Sequence, residues 1–397
     1  MHHLHLPKTV WFFWLFFLLT VSCKESGASQ KADASPAETF QNVLNEVVAQ
    51  NKDVPGIMLH VEAPGLNISW NGAAGVSDVE TGTPIQANQP FRVASVTKTF
   101  VATAILRLWE EGKLSLDDPI SKYISETHTE ILKRGGYDPD KIKIRHLLSH
   151  TSGLFDYAVG SRSYVDAVKQ DPKHRWTRTE QLQGAMDWGK PYGAPGSQYH
   201  YSDTGYILLG ETLEQVYGKP LATALRELVG YERLGLSATW LESLEAPPTS
   251  TGDRVHQYLD ETDTYDWDPS IDLYGGGGIV ATTSDIARFY YQLFQNKVYT
   301  NAATLDSMIQ KISFPAKPQT EKTRKGPRRE PDYRFGVEVI EIFGQEVYLH
   351  TGFWGTQVAY IPNLNASVAI NFIKGDNLFL LKRIILMIKD MEEAEGS

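Results

Sequence analysis

Three short stretches carry side chains of the kinds that acyl transfer needs. The first is Ser95-Val-Thr-Lys98, which is also the only Ser-x-x-Lys in the 397-residue chain. From Ser95 onward Val101, Ile105 and Leu108 recur at helical spacing, and Glu110-Glu-Gly112 supplies a stop. That pattern predicts one helix with Ser95 in its first turn. A residue three positions on lies one turn along the same face, so the Lys98 amine is expected to reach the Ser95 hydroxyl. A Ser hydroxyl is a poor nucleophile until a base stands beside it and donors await the oxyanion. A helix N-terminus offers a backbone N–H and a favourable dipole. Taken alone, the tetrad also has a plain reading, with Ser95 as helix N-cap and Lys98 as a solvated first-turn residue.

The second stretch is His200-Tyr201-Ser202-Asp203, between the turn Pro195-Gly196 and a helix beginning near Thr204. A Tyr201 phenol beside the Lys98 cation would be expected to ionise well below its unperturbed pKa of about 10 and act as a base. Asp203 would hold Lys98 in place, although capping preference alone would also account for an Asp there. The third is Tyr348-Leu-His350-Thr351-Gly352-Phe353-Trp354-Gly355, at the end of a predicted strand. A strand edge can pair with a substrate backbone, Thr351 can donate a hydroxyl bond, and Gly352 allows close approach. A β-turn after a core strand would explain the same residues.

In identity and order, Ser95-x-x-Lys98, Tyr201-Ser-Asp203 and His350-Thr-Gly352 resemble the three signature elements of the serine β-lactamase and penicillin-binding-protein superfamily. The nearest branch looks like class C β-lactamases, D-alanyl-D-alanine carboxypeptidases of the same type and their esterase relatives. Arg145-His-Leu-Leu-Ser-His-Thr-Ser-Gly-Leu154, Tyr206-Ile-Leu-Leu-Gly210 and Gly275-Gly-Gly-Gly-Ile-Val-Ala-Thr282 support it. The resemblance implies that Ser95 is the acylated nucleophile, Lys98 its proton partner and Tyr201 the general base. It implies an oxyanion hole made of the backbone N–H groups of Ser95 and Phe353. Asp203, His350, Thr351 and Gly352 would bind substrate. Asp203 stands where Asn is usual and His350 where Lys is frequent. A carboxylate only accepts hydrogen bonds, and a His is largely neutral near neutral pH, so both changes lower the expectation of efficient β-lactam hydrolysis. An esterase or D-amino-acid peptidase is the expected activity, on a small ester, peptide or β-lactam and without a cofactor. The alternatives are a β-lactamase and, from another class, a non-catalytic lipoprotein that holds wall peptides or penicillin.

The elements that must position these residues suggest an α+β fold. Phe40, Val43, Leu44, Val47 and Val48 form the stripe of an amphipathic helix, and two β-rich segments at residues 56–62 and 67–71 flank Pro64-Gly65 as a hairpin. Strand signals then almost vanish until Gly275. Thr177-x-x-Glu180 matches a capping box, and residues 203–217 and 220–228 read as helices. After Gly275 come a helix capped by Ser284, another at 302–309, strands at 333–342, 345–350, 357–361 and 367–373, and a C-terminal helix at 378–391. The expected architecture is an antiparallel sheet (37–94 and 275–397) flanked by N- and C-terminal helices, with a mostly helical insertion at 95–274.

Residues 1–22 have the length and apolar character of a signal peptide, and Cys23, the only cysteine, follows a lipoprotein-like Leu-Leu-Thr-Val-Ser. The pattern suggests a protein exported to the cell envelope and anchored to the membrane by acylated Cys23, with residues 23–36 as a flexible tether. A soluble secreted protein with Cys23 left free is the alternative. One cysteine rules out an intramolecular disulfide and zinc–thiolate chemistry. The net charge of −10 argues against nucleic acid as the main partner. The basic run at 317–329 reads as a solvated loop, with polyanion binding as the sharper alternative. His146 and His150 have zinc-like spacing but no third ligand, so no metal is expected. No Gly-x-Ser-x-Gly elbow is present, which argues against an α/β-hydrolase.

Overall fold

The apolar stripe near the start folds as the helix α1 (Pro36–Gln50), which buries Phe40, Val43, Leu44 and Val47. The computed structural model describes residues 35–314, 332–375 and 378–395. The expected leader, Cys23, nearly all of the tether and the basic run at 317–329 lie outside the described residues.

After α1 come the strands β1 (Gly56–Ala63), β2 (Ile68–Asp78) and the short β3 (Thr83–Pro84) and β4 (Phe91–Arg92). The helical stretch follows with α2 (Thr97–Glu110), α3 (Glu126–Arg134), α4 (Ile144–Leu148), α5 (Ser163–Gln170), α6 (Arg178–Trp188) and α7 (Asp203–Tyr217). Next are α8 (Leu221–Leu225) and α9 (Tyr231–Leu234), then β5 (Trp240–Leu241), β6 (Tyr258–Leu259), β7 (Thr262–Asp263) and β8 (Ile279–Ala281). The chain ends with α10 (Thr283–Phe294), α11 (Ala302–Met308), β9 (Asp332–Tyr333), β10 (Glu338–Ile342), β11 (Gln345–Gly352), β12 (Thr356–Ile361), β13 (Ala366–Phe372) and α12 (Leu378–Glu395).

The main sheet runs β3-β2-β1-β13-β12-β11-β10-β9, all neighbours antiparallel. The N-terminal hairpin therefore joins the C-terminal strands through β1 and β13, with Ile57 opposite Phe372. Alternation along β1 sorts side chains between two cores. Ile57, Leu59 and Val61 pack with α1 and with Leu381, Ile384 and Ile388 of α12, while Met58 faces the core built around α2, α7 and α10. The described residues from Pro36 onward form one compact unit. Among the described residues no helix is long and apolar enough to cross a membrane.

Local chemistry shifts several expected boundaries. Thr282 rather than Ser284 caps α10, accepting from the Asp285 amide at 3.2 Å. The strand expected at 333–342 is broken between β9 and β10, where Gly336 turns the backbone at φ +76°. The expected helix at 220–228 passes from α8 through a π-turn into α9. The capping box Thr177/Glu180 forms as expected. The two-residue strands β5, β6 and β7 are too short to leave a periodic signal.

Candidate active site

Ser95 sits in a 3-10 turn, Ala94–Val96, that feeds directly into α2, so it lies one step ahead of the helix rather than inside it. Ala94 adopts φ +49°, a left-handed conformation that costs a non-glycine residue free energy and that tight packing must maintain. Ala94 and Val96 are both buried. Lys98, one turn on, points back as expected, with Nζ 2.9 Å from Ser95 Oγ. The lysine is 0% exposed, and a buried charge is tolerable only when paired. Its ammonium donates to the Gly276 carbonyl at 2.6 Å and forms an ion pair with Asp203. The rings of Tyr201 and Tyr206 face it at 5.0 and 5.6 Å.

Tyr201 OH is 2.9 Å from Ser95 Oγ, so one oxygen is touched by both Lys98 and Tyr201. The expected lowering of the Tyr201 phenol is not found. Enclosure of the ring and the Asp203 carboxylate hold it well above the ordinary tyrosine range. The reason is that Asp203 already offsets the Lys98 charge, leaving little positive field to favour a phenolate. Asp203 occupies the first helical position of α7, after Ser202 as cap. A second carboxylate, Asp156, is buried nearby and receives the Ala158 amide at 2.9 Å and the Asp203 amide at 3.4 Å. Burial and the proximity of Asp203 push its carboxyl up, towards the protonated form.

The third element arrives on β11. Gly352, its last residue, lies so close to the Ser95 turn that a Cβ built there would be 2.2 Å from the Val93 carbonyl oxygen. His350 is buried with both ring nitrogens engaged: Nδ1 lies 2.7 Å from the Thr351 carbonyl and Nε2 3.0 Å from Tyr333 OH. A carbonyl only accepts, so Nδ1 carries the proton and Nε2 accepts from the phenol. Burial and the Lys98 charge lower its pKa to about 3, which makes it a neutral group at working pH.

The beta-lactamase family model matches residues 43–378. The chain belongs to the beta-lactamase family. It is 26% identical to penicillin-binding protein 4* of Bacillus subtilis (strain 168), over 66% of this chain and 56% of that one. It is 35% identical to esterase EstB of Burkholderia gladioli over 49% of each chain. The chain thus spans about half the length of these curated relatives. A crystal structure of a D-stereospecific amidohydrolase from Streptomyces sp. superposes with a TM-score of 0.68 at 26% identity, covering 85% of this chain and 94% of that one.

Two cavities meet at Ser95. One, of about 140 Å³, is walled mainly by apolar groups such as Val159, Val168, Leu259, Trp267 and Trp354, together with Asp203 and Asp272. The other, of about 240 Å³, is polar and lined by Tyr199, Tyr201, Tyr333, Glu338, His350 and Thr351. Ser95 and Phe353 border both, and the Phe353 side chain is 57% exposed. The motifs do not lead to Asp156, Asp272, Tyr333 or Glu338, which enter the site from a loop, the Pro269–Asp272 turn and strands β9 and β10 without a local spacing pattern. His146 and His150, despite their zinc-like spacing, do not share a helix face. His146 belongs to α4, whereas His150 lies beyond its end at φ +55°. The His150 ring packs tilted against Tyr201 with centroids 4.1 Å apart, accepts the Ser202 amide at Nδ1, and is kept neutral by burial.

Proposed function

We propose that the protein is a serine hydrolase that forms an acyl-enzyme on Ser95 and acts on esters or amides whose leaving group carries no carboxylate. The observation behind this reading is the pair of 2.9 Å contacts that Lys98 Nζ and Tyr201 OH make to Ser95 Oγ, at the junction of two cavities. Lys98 passes a proton to Asp203, and the amine so formed takes the Oγ proton, directly or through Tyr201, as Oγ attacks the substrate carbonyl. The backbone N–H groups of Ser95 and Phe353 stabilise the oxyanion, and Lys98 and Tyr201 protonate the leaving alcohol or amine. Water then attacks the Ser95 ester by the reverse proton route, releasing the acid.

The choice of leaving group follows from the polar cavity. Its lining offers no cation, its histidine is neutral, and Glu338 is a carboxylate without a hydrogen-bond or ion-pair partner among the described residues. A substrate carboxylate, as in a penicillin or a peptide C-terminus, would meet repulsion there. Uncharged esters and amides would not. The names of the esterase and of the D-stereospecific amidohydrolase among its relatives are in keeping with this preference.

The test is intact-mass spectrometry of the protein and of Ser95→Ala during turnover of a short-chain p-nitrophenyl ester, with a penicillin alongside. A Ser95-dependent acyl adduct and ester turnover, with slow or absent penicillin reaction, is the expected result. Undiminished ester turnover by Ser95→Ala would overturn the proposal. We also propose, from the leader pattern alone, that Cys23 is acylated and anchors the protein at the cell envelope. Loss of metabolic palmitate label in Cys23→Ala is the expected outcome, and retained label refutes it.

A further inference from the structure

The structure assigns Asp272 a role as the anchor for an ammonium group on the acyl half of the substrate; this assignment rests on Ser95 as the nucleophile. The apolar cavity beside Ser95 contains two carboxylates and, in its lining, no lysine, arginine or histidine. Asp203 is committed to Lys98. Asp272 has no hydrogen-bond or ion-pair partner among the described residues. A carboxylate kept unpaired against an apolar wall costs free energy, and a cation arriving from solvent would offset it.

The local backbone is arranged around that carboxylate. Gly277 leaves room for it: a Cβ at position 277 would sit 2.1 Å from Asp272 Oδ1. The turn that presents it, Pro269–Asp272, is fixed from three directions. Ser270 Oγ accepts the Trp176 amide at 2.7 Å, the Ser270 carbonyl accepts from Gln181 at 2.8 Å, and the Ile271 carbonyl accepts from Tyr164 OH at 2.8 Å. A mobile surface aspartate would need none of this.

The charges in and around the site point the same way. Lys98 and Asp203 offset one another, and Asp156 is driven towards its neutral form. Enclosure raises Asp272 to about 6, which still leaves it largely ionised at neutral pH. The cavity therefore carries a net negative charge inside apolar walls. An acyl group that combines a hydrocarbon side chain with a protonated amine matches both features, and an acidic acyl group matches neither.

The experiment compares phenylalanine methyl ester, in both configurations, with methyl 3-phenylpropionate, which has the same skeleton without the amine. The readout is the ratio of kcat/KM values, so the greater intrinsic reactivity of amino esters cancels between variants. The ratio for the preferred enantiomer is expected to fall at least ten-fold in Asp272→Asn and in the smaller Asp272→Ser, each first shown to melt cooperatively. An unchanged ratio in both variants overturns the assignment, because a merely structural defect lowers both substrates together. A binding arm separates this result from failure of the hydrolase reading. Phenethylamine and phenethyl alcohol are titrated into the native protein and Ser95→Ala, with the fluorescence of Trp267 and Trp354 as signal. At least five-fold tighter binding of the amine, lost in Asp272→Asn, supports the anchor even if no ester is hydrolysed. Equal binding of amine and alcohol refutes it even if esters are.

Discussion

The alanine variant of Gly352 tests whether β11 and the Ser95 turn must meet at their present separation. A Cβ at this position would stand 2.2 Å from the Val93 carbonyl oxygen, a little over 1 Å short of the roughly 3.4 Å of an ordinary contact. Val93 carries little freedom to yield. It is fully buried, its amide donates to the Ile279 carbonyl at 3.0 Å, and it precedes the strained Ala94. The strand end would therefore move, carrying Phe353 and its backbone N–H away from Ser95 by about 1 Å. A displacement of that size at a reacting centre costs on the order of 10²-fold in rate, or about 2.7 kcal/mol of transition-state stabilisation. The overpacking itself should cost about 1–3 kcal/mol of stability. Steady-state kinetics on a p-nitrophenyl ester should show kcat falling roughly 100-fold with KM changed far less. Gly65→Ala is the control, since nothing lies within 4 Å of its added methyl. If Gly352→Ala keeps more than half of its kcat, the close approach of β11 has no bearing on catalysis and the oxyanion-hole assignment of Phe353 falls with it.

Three further outcomes follow from the charges at the site. Lys98→Met strips Asp203 of its buried partner and should cost about 3–5 kcal/mol in urea unfolding; Asp203→Asn in the same background should recover at least half. Equal stability of Lys98→Met and the native protein would show that the pair is not buried in solution. Asp156 is raised above its unfolded-state pKa, so the native state binds the extra proton and stability declines as pH climbs from the ordinary aspartate range towards neutrality. Asp156→Asn mimics the protonated form, and its advantage in melting temperature should be small near pH 4.5 and grow by about pH 7.5; a constant difference would contradict the shift. In the polar cavity, His350→Lys combined with Glu338→Gln adds a cation and removes a carboxylate. Acylation of Ser95 by a penicillin, followed by intact mass, should accelerate at least ten-fold, and no acceleration would refute the electrostatic account of leaving-group choice.

Much of the scaffold is legible because long elements carry their own periodicity. The stripe of α1, the capping box of α6 and the 203–217 bounds of α7 all agree with the observed elements. The pairing of β1 with β13 is not legible, since nothing local in Ile57 or Phe372 shows that strands some 300 residues apart in sequence are neighbours. The break at Gly336 is not legible for the same kind of reason. Its Cβ would collide with Ala102 of α2 at 2.5 Å, so the need for glycine arises from packing against a distant helix and not from the strand pattern.

The site divides along the same line. The Ser95–Lys98 contact is local, a matter of one helical turn, and the sequence places it correctly. The state of Tyr201 depends on which charges surround it in three dimensions. From the motifs the Lys98 cation beside the phenol outweighs the Asp203 expected to hold it, and a lowered pKa follows. In the folded protein Asp203 lies against that cation and Asp156 lies behind Asp203, so the phenol is instead held protonated. Asp156 and Asp272 could not have been singled out, because an Asp in a loop has no spacing to give it away. Identity and order of motif residues thus specify which groups meet at Ser95, while desolvation and the count of neighbouring carboxylates decide who holds the proton. It is in that second layer, in Asp272 and Glu338 as much as in the motifs, that the preference among esters, amides and β-lactams would be set.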